Sequence, residues 1–229
     1  CEGVVPVNCT RRNLLNSEIE NDWKYLPLIK SLTALSALFH DWGKASCLFQ
    51  EKLNPNSKNK FKGDPLRHEW ISVLLLNALV NNKTDEMWLS DLIDNGVNES
   101  ELKQSVKTQN QTPLDKLPNG AKLLAWLIVS HHRLPYIKSD WRDEKAPDIA
   151  TTLKRITQEW GYENKIDEAE YKKRVKHCFE FQNGLLSESK EWRKQIKRWA
   201  TSLLNNLPLL EAAMQDGSYR LVLHHARLC

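Results

Sequence analysis

The sequence has few cysteines, no long apolar run and no phosphate-binding loop. Its five cysteines form no Cys-x-x-Cys pair, which argues against a disulfide framework and against a cysteine zinc site. The longest apolar stretches fall well short of the roughly 20 residues that a membrane-spanning helix needs. No Gly-x-x-x-x-Gly-Lys-Ser/Thr motif occurs, so no P-loop ATPase lies within these residues. We expect a cytoplasmic protein that contacts no membrane.

The composition is that of a globular domain with a mild excess of positive charge. The 229 residues are 41% hydrophobic and include nine tryptophans, enough for a sizeable core. The net charge of +4 is compatible with a nucleic-acid substrate but does not demand one. Because the chain begins without an initiator methionine or a signal sequence, we expect a single domain, residues 1–229, that is a fragment of a larger protein.

Apolar residues recur at helical spacing almost throughout, so the predicted fold class is all-α. One helix is predicted from about Pro27 into His40-Asp41, and a second begins at Asp64-Pro65, an N-cap followed by proline, and carries His68. A third runs from about Gly120 to His132. Further helices are predicted at 147–160, 167–181, 188–204 and from 218 onward, and surface loops at 51–63 and 95–119.

Four imidazoles and one carboxylate lie on or at the end of these apolar segments. They are His40, Asp41, His68, His131 and His132. Burying polar groups without partners costs free energy at each of them, which favours one shared site over five coincidences. Imidazole and carboxylate suit divalent transition ions such as Mn, Ni, Fe or Co, with Mg as a further candidate. We predict a site for one or two ions, with Asp41 placed to bridge them.

Such a site is suited to phosphoester hydrolysis. Two ions about 4 Å apart activate a shared water and clamp the attacking and leaving oxygens. Lys44 adds a positive charge that could neutralise a phosphate oxygen, so Asp41 and Lys44 are the predicted catalytic residues. Each residue also has an ordinary interpretation. His68 alone is typical of a core histidine, and His131-His132 of a helix C-terminus favoured by the macrodipole.

The order of these motifs resembles the HD superfamily. The run Phe39 to Ala45, then Arg67-His68-Glu69, then His131-His132 is most similar to the HD nuclease domain of the CRISPR-associated helicase-nuclease of type I systems. The segments Val5-Pro6-Val7-Asn8 and His224 to Leu228 resemble the type I-F branch. This resemblance implies a metal-dependent endonuclease and exonuclease acting on single-stranded DNA in antiviral defence. It further implies His40 and Asp41 as ligands, with His68, His131 and His132 completing the second metal position.

The resemblance also implies partners for the full-length protein. They are an ATP-driven helicase part that alone uses ATP, an RNA-guided surveillance complex, the CRISPR adaptation integrase and a phage anti-CRISPR inhibitor. The family usually has one more His upstream and an Asp on a late helix. Here no His precedes His40, and no Asp lies between Ser218 and Cys229. Either that Asp lies beyond this sequence, which we favour, or this branch holds one ion tightly.

Two other function classes stay open. One is an HD-type phosphohydrolase acting on nucleotides or cyclic nucleotides, which needs an enclosed base pocket rather than an open groove. The other is a metal-stabilised interaction module, which needs a coordinatively closed ion. Two cationic runs, one from Lys172 to Lys176 and one from Lys190 to Arg198, could line a path for a phosphate backbone, with exposed tryptophans stacking bases. In the favoured interpretation, Trp192 and Trp199 share the core stripe of a helix and the cations form its solvated opposite face.

Overall fold

The computed structural model describes residues 23–57, 64–106, 112–134, 148–161 and 168–228. Within these ranges the protein is all-α, as predicted, and contains no β-strand. The helices of these ranges are α1 (Leu26–Phe39), α2 (Cys47–Leu53), α3 (His68–Val80), α4 (Asp85–Asp94), α5 (Glu99–Ser105), α6 (Asn119–Ser130), α7 (Ile149–Lys154), α8 (Gln158–Gly161), α9 (Glu168–Val175), α10 (Lys190–Asn205), α11 (Leu207–Asp216) and α12 (Tyr219–Leu228). Short 3₁₀ turns occupy Trp42–Ala45, Lys176–Phe179 and Leu186–Glu188.

Helices α1, α3 and α6 form the centre of the core. Helix α1 packs against α6, α10 and α12, while α3 packs against α6 and against the 3₁₀ turn that follows α1. Helix α3 is buried on nearly every side, including each residue from Glu69 to Leu76. Burial of these apolar side chains is the main favourable contribution to folding, at roughly 25 cal/mol per Å². The packing brings the C-terminal ends of α1 and α6 to the N-terminal end of α3.

A buried carboxylate fixes the beginning of α6. Asp85 accepts hydrogen bonds from the backbone N–H of Gly120 at 2.7 Å and of Ala121 at 3.2 Å, and from the Trp88 indole at 2.8 Å. These bonds satisfy N–H groups that a helix start leaves without intrahelical partners. Burial raises the pKa of Asp85 above its usual value, although the three hydrogen bonds oppose the rise. The opposite end of this anchored helix carries His131 and His132.

Several predicted boundaries are wrong. Helix α3 begins at His68 rather than at Asp64-Pro65, because the backbone N–H of Arg67 donates to the Gly161 carbonyl at 2.8 Å and Arg67 is extended. Helix α6 ends at Ser130, so His131 and His132 follow it. The loop predicted at 95–119 contains helix α5, and Leu114 and Leu117 of that range are buried.

The remaining differences concern helix number. The helix predicted at 147–160 is divided into α7 and α8, and the one predicted at 167–181 into α9 and a 3₁₀ turn. Helices α2, α4 and α11 were not predicted. The predicted loop at 51–63 begins with the last turn of α2, and its residues 58–63 lie outside the described ranges. In the described part of the chain, no helix has the length and apolar character that crossing a membrane requires.

Candidate metal centre

The five predicted ligands lie together where the ends of α1, α3 and α6 meet. His40 directly follows α1, His68 is the first residue of α3, and His131 and His132 directly follow α6. The His131 ring centroid lies 4.9 Å from that of His40 and 5.6 Å from that of His68. The His68 and His132 centroids are 5.1 Å apart. Residues up to 92 positions apart in the sequence thus converge, which requires the tertiary packing of all three helices.

Asp41 lies between two of the histidines. Its Oδ2 is 3.2 Å from His40 Nε2, and its Oδ1 is 3.5 Å from His68 Nε2. Lys44 Nζ donates to Oδ2 at 2.9 Å. Partial burial alone would raise the pKa of Asp41, but the Lys44 hydrogen bond and the neighbouring charges hold that pKa below its usual value. An ionised carboxylate with one oxygen toward each histidine has the arrangement that a bridging ligand needs.

Three buried atoms of the cluster have no hydrogen-bond partner. They are Asp41 Oδ1, His68 Nε2 and His131 Nε2. An unsatisfied buried polar atom costs about 1–3 kcal/mol, so three in one place require an explanation. All three are lone-pair donors of the kind that bind divalent ions. A core histidine with no other role would have both ring nitrogens satisfied, and His68 does not.

The cluster contains two overlapping sets of candidate ligands. One set is His40, Asp41 and His131, and the other is His68, Glu69, His131 and His132. Within each set, the ligand atoms lie within 4.8 Å of one another. Together with the unsatisfied atoms, these sets fit a divalent metal site, and His131 belongs to both.

The ring orientations place Nε2 of the histidines toward the cluster. His40 Nδ1 lies 2.8 Å from the Ala37 carbonyl and His131 Nδ1 lies 2.6 Å from the Ile128 carbonyl. A carbonyl only accepts, so each Nδ1 carries the proton and each Nε2 keeps its lone pair. Burial lowers the pKa of His68 to about 4 and also lowers that of His131. At neutral pH, both rings are therefore in the uncharged form that binds metal.

Ser72 and Gly43 hold the His40–Lys44 turn against α3. The Ser72 hydroxyl donates to the His40 carbonyl and accepts from the Gly43 N–H, both at 2.8 Å. A Cβ on Gly43 would lie 2.1 Å from the His68 carbonyl oxygen, so only glycine permits this approach. The sequence analysis did not identify Ser72, whose hydroxyl has no signature distinguishing it from other helix serines.

Glu69 is a second residue that the sequence analysis missed. Its side chain is 1% exposed, forms an ion pair with Arg67, and has Oε2 3.4 Å from His68 Nδ1. Burial alone would raise the pKa of Glu69, but hydrogen bonds and the neighbouring cations hold it below its usual value. Arg67 in turn lies over the Trp160 ring at 5.0 Å. Only the adjacency of Glu69 to His68 could have indicated its position at the cluster.

Comparison with known proteins places these observations in a family. Residues 8–208 match the family described as Cas3, HD domain. The chain is 37% identical over 237 residues to a CRISPR-associated nuclease/helicase Cas3 of subtype I-F/YPEST from Pseudomonas aeruginosa. It is 31% identical over 245 residues to a protein of the same description from Pectobacterium atrosepticum. Each alignment covers 99% of this chain, which spans about a fifth (21%) of either relative.

Proposed function

Because this chain belongs to the Cas3 HD domain family, we propose that it is a metal-dependent nuclease domain that hydrolyses phosphodiester bonds of single-stranded DNA in CRISPR interference. The observation that carries this proposal is the group of unsatisfied ligand atoms around Asp41. The His40, Asp41 and Lys44 side chains are each about one-third exposed (33%, 35% and 36%). A polymer can therefore approach the cluster from solvent.

Each residue of the cluster has a proposed role. His40, Asp41, His68, His131 and His132 would hold one or two ions of Mn, Ni, Fe or Co, with Mg as a further candidate, and Asp41 would bridge. Such ions, when bound, lower the pKa of a coordinated water and neutralise phosphate charge. The Lys44 ammonium lies beside Asp41 and would donate to a phosphate oxygen as negative charge develops there. Glu69 would orient His68 through Nδ1.

The partners of the whole protein are also proposals. The relatives that this chain matches are named nuclease/helicase, and we propose that an ATP-driven helicase part supplies the single strand to this domain. Recruitment by an RNA-guided surveillance complex, contact with the CRISPR adaptation integrase and inhibition by a phage anti-CRISPR protein would involve the same full-length protein. A cytoplasmic location agrees with these partners.

Degradation of a circular single-stranded DNA tests the proposal. The purified chain is incubated with the circle in Mn²⁺, Ni²⁺, Mg²⁺ or EDTA, beside Asp41→Ala and the control Asp94→Ala, whose exposed carboxylate lies at the end of α4. A circle has no ends, so its loss requires endonuclease activity. We expect metal-dependent loss with wild type and Asp94→Ala, and none with Asp41→Ala.

Other outcomes favour the other function classes. An intact circle together with hydrolysis of nucleotides or cyclic nucleotides would favour the phosphohydrolase. Metal binding without hydrolysis of either substrate would favour an interaction module. Equal cleavage by wild type and Asp41→Ala would contradict the proposed centre.

A further inference from the structure

A basic, aromatic cleft opens at the N-terminal end of α1. The cavity is about 590 Å³ and lies between the start of α1 and the middle of α10. Its described lining includes three cations, Lys24, Lys30 and Arg198, and two indoles, Trp23 and Trp199, with no carboxylate among them. The Arg198 guanidinium lies 4.7 Å from the centre of the Trp199 ring. The lining therefore combines positive charge with flat aromatic surface.

The outward face of α1 connects this cleft to the metal centre. At 100° per residue, Lys30, Ala34, Ala37 and Asp41 lie within about 60° of one another around the helix axis. Lys30 and Ala37 are exposed, and Ala34 is half-buried. We call the face formed by Pro27, Lys30, Ala34 and Ala37 the α1 track. From Lys30 to His40 it rises about 15 Å.

Among the described residues, neighbouring helices flank the track without covering it. On one side, the Ser31 hydroxyl lies 2.7 Å from that of Ser202 on α10. On the other side, the Thr33 hydroxyl donates to the Ala226 carbonyl of α12 at 3.3 Å. In the part of the chain that the structure describes, the α1 track therefore lies open between α10 and α12. Its small alanines leave room beside the helix, and it ends at His40 and Asp41.

We propose that the cleft and the α1 track bind a single strand of nucleic acid and guide it to the metal centre; this inference rests on the proposed function. Indole faces stack on any base, and the cations neutralise backbone phosphates, which is the combination used for sequence-independent single-strand binding. A strand stacked at Trp23 and Trp199 passes its phosphates by Lys30 and over Ala34 and Ala37. An acidic protein segment would use the cations but not the indole faces.

Charge-reversal variants with a matched control test the track. Lys30→Glu/Arg198→Glu is compared with Lys116→Glu/Arg155→Glu, which changes the net charge equally at an exposed lysine and an exposed arginine outside the cleft. Binding of a labelled 12-nucleotide single strand is measured in EDTA at several salt concentrations. We expect the track variant to bind about tenfold more weakly or worse. Loss of two phosphate contacts should also reduce the slope of log affinity against log salt by about 1.4.

A stacking variant gives an independent readout. Trp199 is half-buried, so Trp199→Leu keeps an apolar side chain but removes the ring. We expect affinity to fall about fivefold or more, as for loss of one stacked base, with the salt slope unchanged. Cleavage in Mn²⁺ tests whether a strand bound in the cleft reaches the metal centre. Both variants should cut a trinucleotide, which cannot reach from Asp41 to the cleft, at the wild-type rate, and should cut long strands more slowly.

The outcomes separate this inference from the proposed function. If wild type cuts single strands but both variants bind and cut like wild type, the track is refuted and the nuclease stands. Equal weakening in the control variant would also refute it, because net charge would then be the cause. If poly-glutamate bound as tightly as the strand and Trp199→Leu had no effect, the cleft would be an unspecific anion-binding surface. That result would also refute the track. Wild type that neither binds nor cuts single strands would refute both.

Discussion

The backbone of Gly43 lies directly against the backbone of His68. A β carbon on Gly43 would be 2.1 Å from the His68 carbonyl oxygen and 2.8 Å from its carbonyl carbon. This contact sets how closely the His40–Lys44 turn approaches the first residue of α3. It therefore determines the separation of the Asp41 carboxylate from the His68 ring, which is 3.5 Å between Oδ1 and Nε2.

Substitution Gly43→Ala should displace the turn and weaken metal binding. Relief of a backbone overlap in a packed core costs about 1–3 kcal/mol of stability, and the displacement separates Asp41 from His68. Urea unfolding and Mn²⁺ calorimetry measure the two effects. Gly96→Ala is the control, because Gly96 has a positive φ of 69° but nothing within 4 Å of its missing Cβ. That control should lose about 1 kcal/mol through backbone strain alone and keep its Mn²⁺ affinity.

Removal of the Ser72 hydroxyl should have a similar effect. Ser72→Ala leaves the His40 carbonyl and the Gly43 N–H without their buried partner, at a cost of about 1–3 kcal/mol. The Mn²⁺ affinity should fall together with stability. Ser36→Ala, which loses only a hydroxyl bond to a carbonyl of its own helix, should change neither by much. Full Mn²⁺ affinity in Ser72→Ala would show that the turn is held without this contact.

The convergence of His40, Asp41, His68, His131 and His132 could be predicted from the sequence because their signals are local. Each is a titratable residue on or next to an apolar helical segment, and the motif order is specific. The residues that support them could not be predicted. Ser72 and Glu69 acquire their roles from contacts with His40, Gly43 and Arg67, and contacts across the core depend on helix packing rather than on spacing.

Lys44→Gln should separate metal binding from catalysis. The Lys44 ammonium donates to Asp41 Oδ2, where it competes with a bound ion, so its removal should leave Mn²⁺ affinity unchanged or higher. Cleavage should slow by about 100-fold, as when one donor to a developing oxyanion is lost. Single-turnover rates at saturating Mn²⁺ measure this effect. Lys52→Gln, which removes an ammonium paired with Asp64 instead, should cleave normally; a rate for Lys44→Gln equal to that control would exclude a catalytic role.

The metal-free chain should lose stability as the pH falls from 6.5 to 4. The pKa of His68 is lowered from 6.5 to about 4, mainly by burial, so over this interval the unfolded chain binds a proton that the folded chain does not. The contribution of the uncharged His68 ring to the free energy of unfolding is thus complete above pH 6.5 and is lost on acidification, on the order of 3 kcal/mol. Urea unfolding in EDTA measures it. His68→Asn should show a shallower pH dependence, and parallel curves for the two proteins would contradict the assignment.

The all-α fold class could be predicted from the helical spacing of apolar residues, whereas several helix boundaries could not. The Asp64-Pro65 start signal is present, but α3 begins at His68 because Arg67 bonds to Gly161, far away in sequence. Helix α5 has one buried leucine, Leu102, and is otherwise polar, so its apolar pattern is too weak to recognise. Helix α11 begins next to Asn205-Asn206 with a proline in its first turn, a start signal that the sequence analysis overlooked.

The central claim is that His40, Asp41, His68, His131 and His132 hold a divalent ion. A crystal structure of the chain grown with Mn²⁺, with the ion located by anomalous scattering, tests it most directly. We predict an anomalous peak within bonding distance of an Asp41 carboxylate oxygen and of Nε2 of His68 or His131, because Asp41 Oδ1 and both Nε2 atoms are buried here without a hydrogen-bond partner. A peak only elsewhere, or none at this cluster in saturating Mn²⁺, would contradict it.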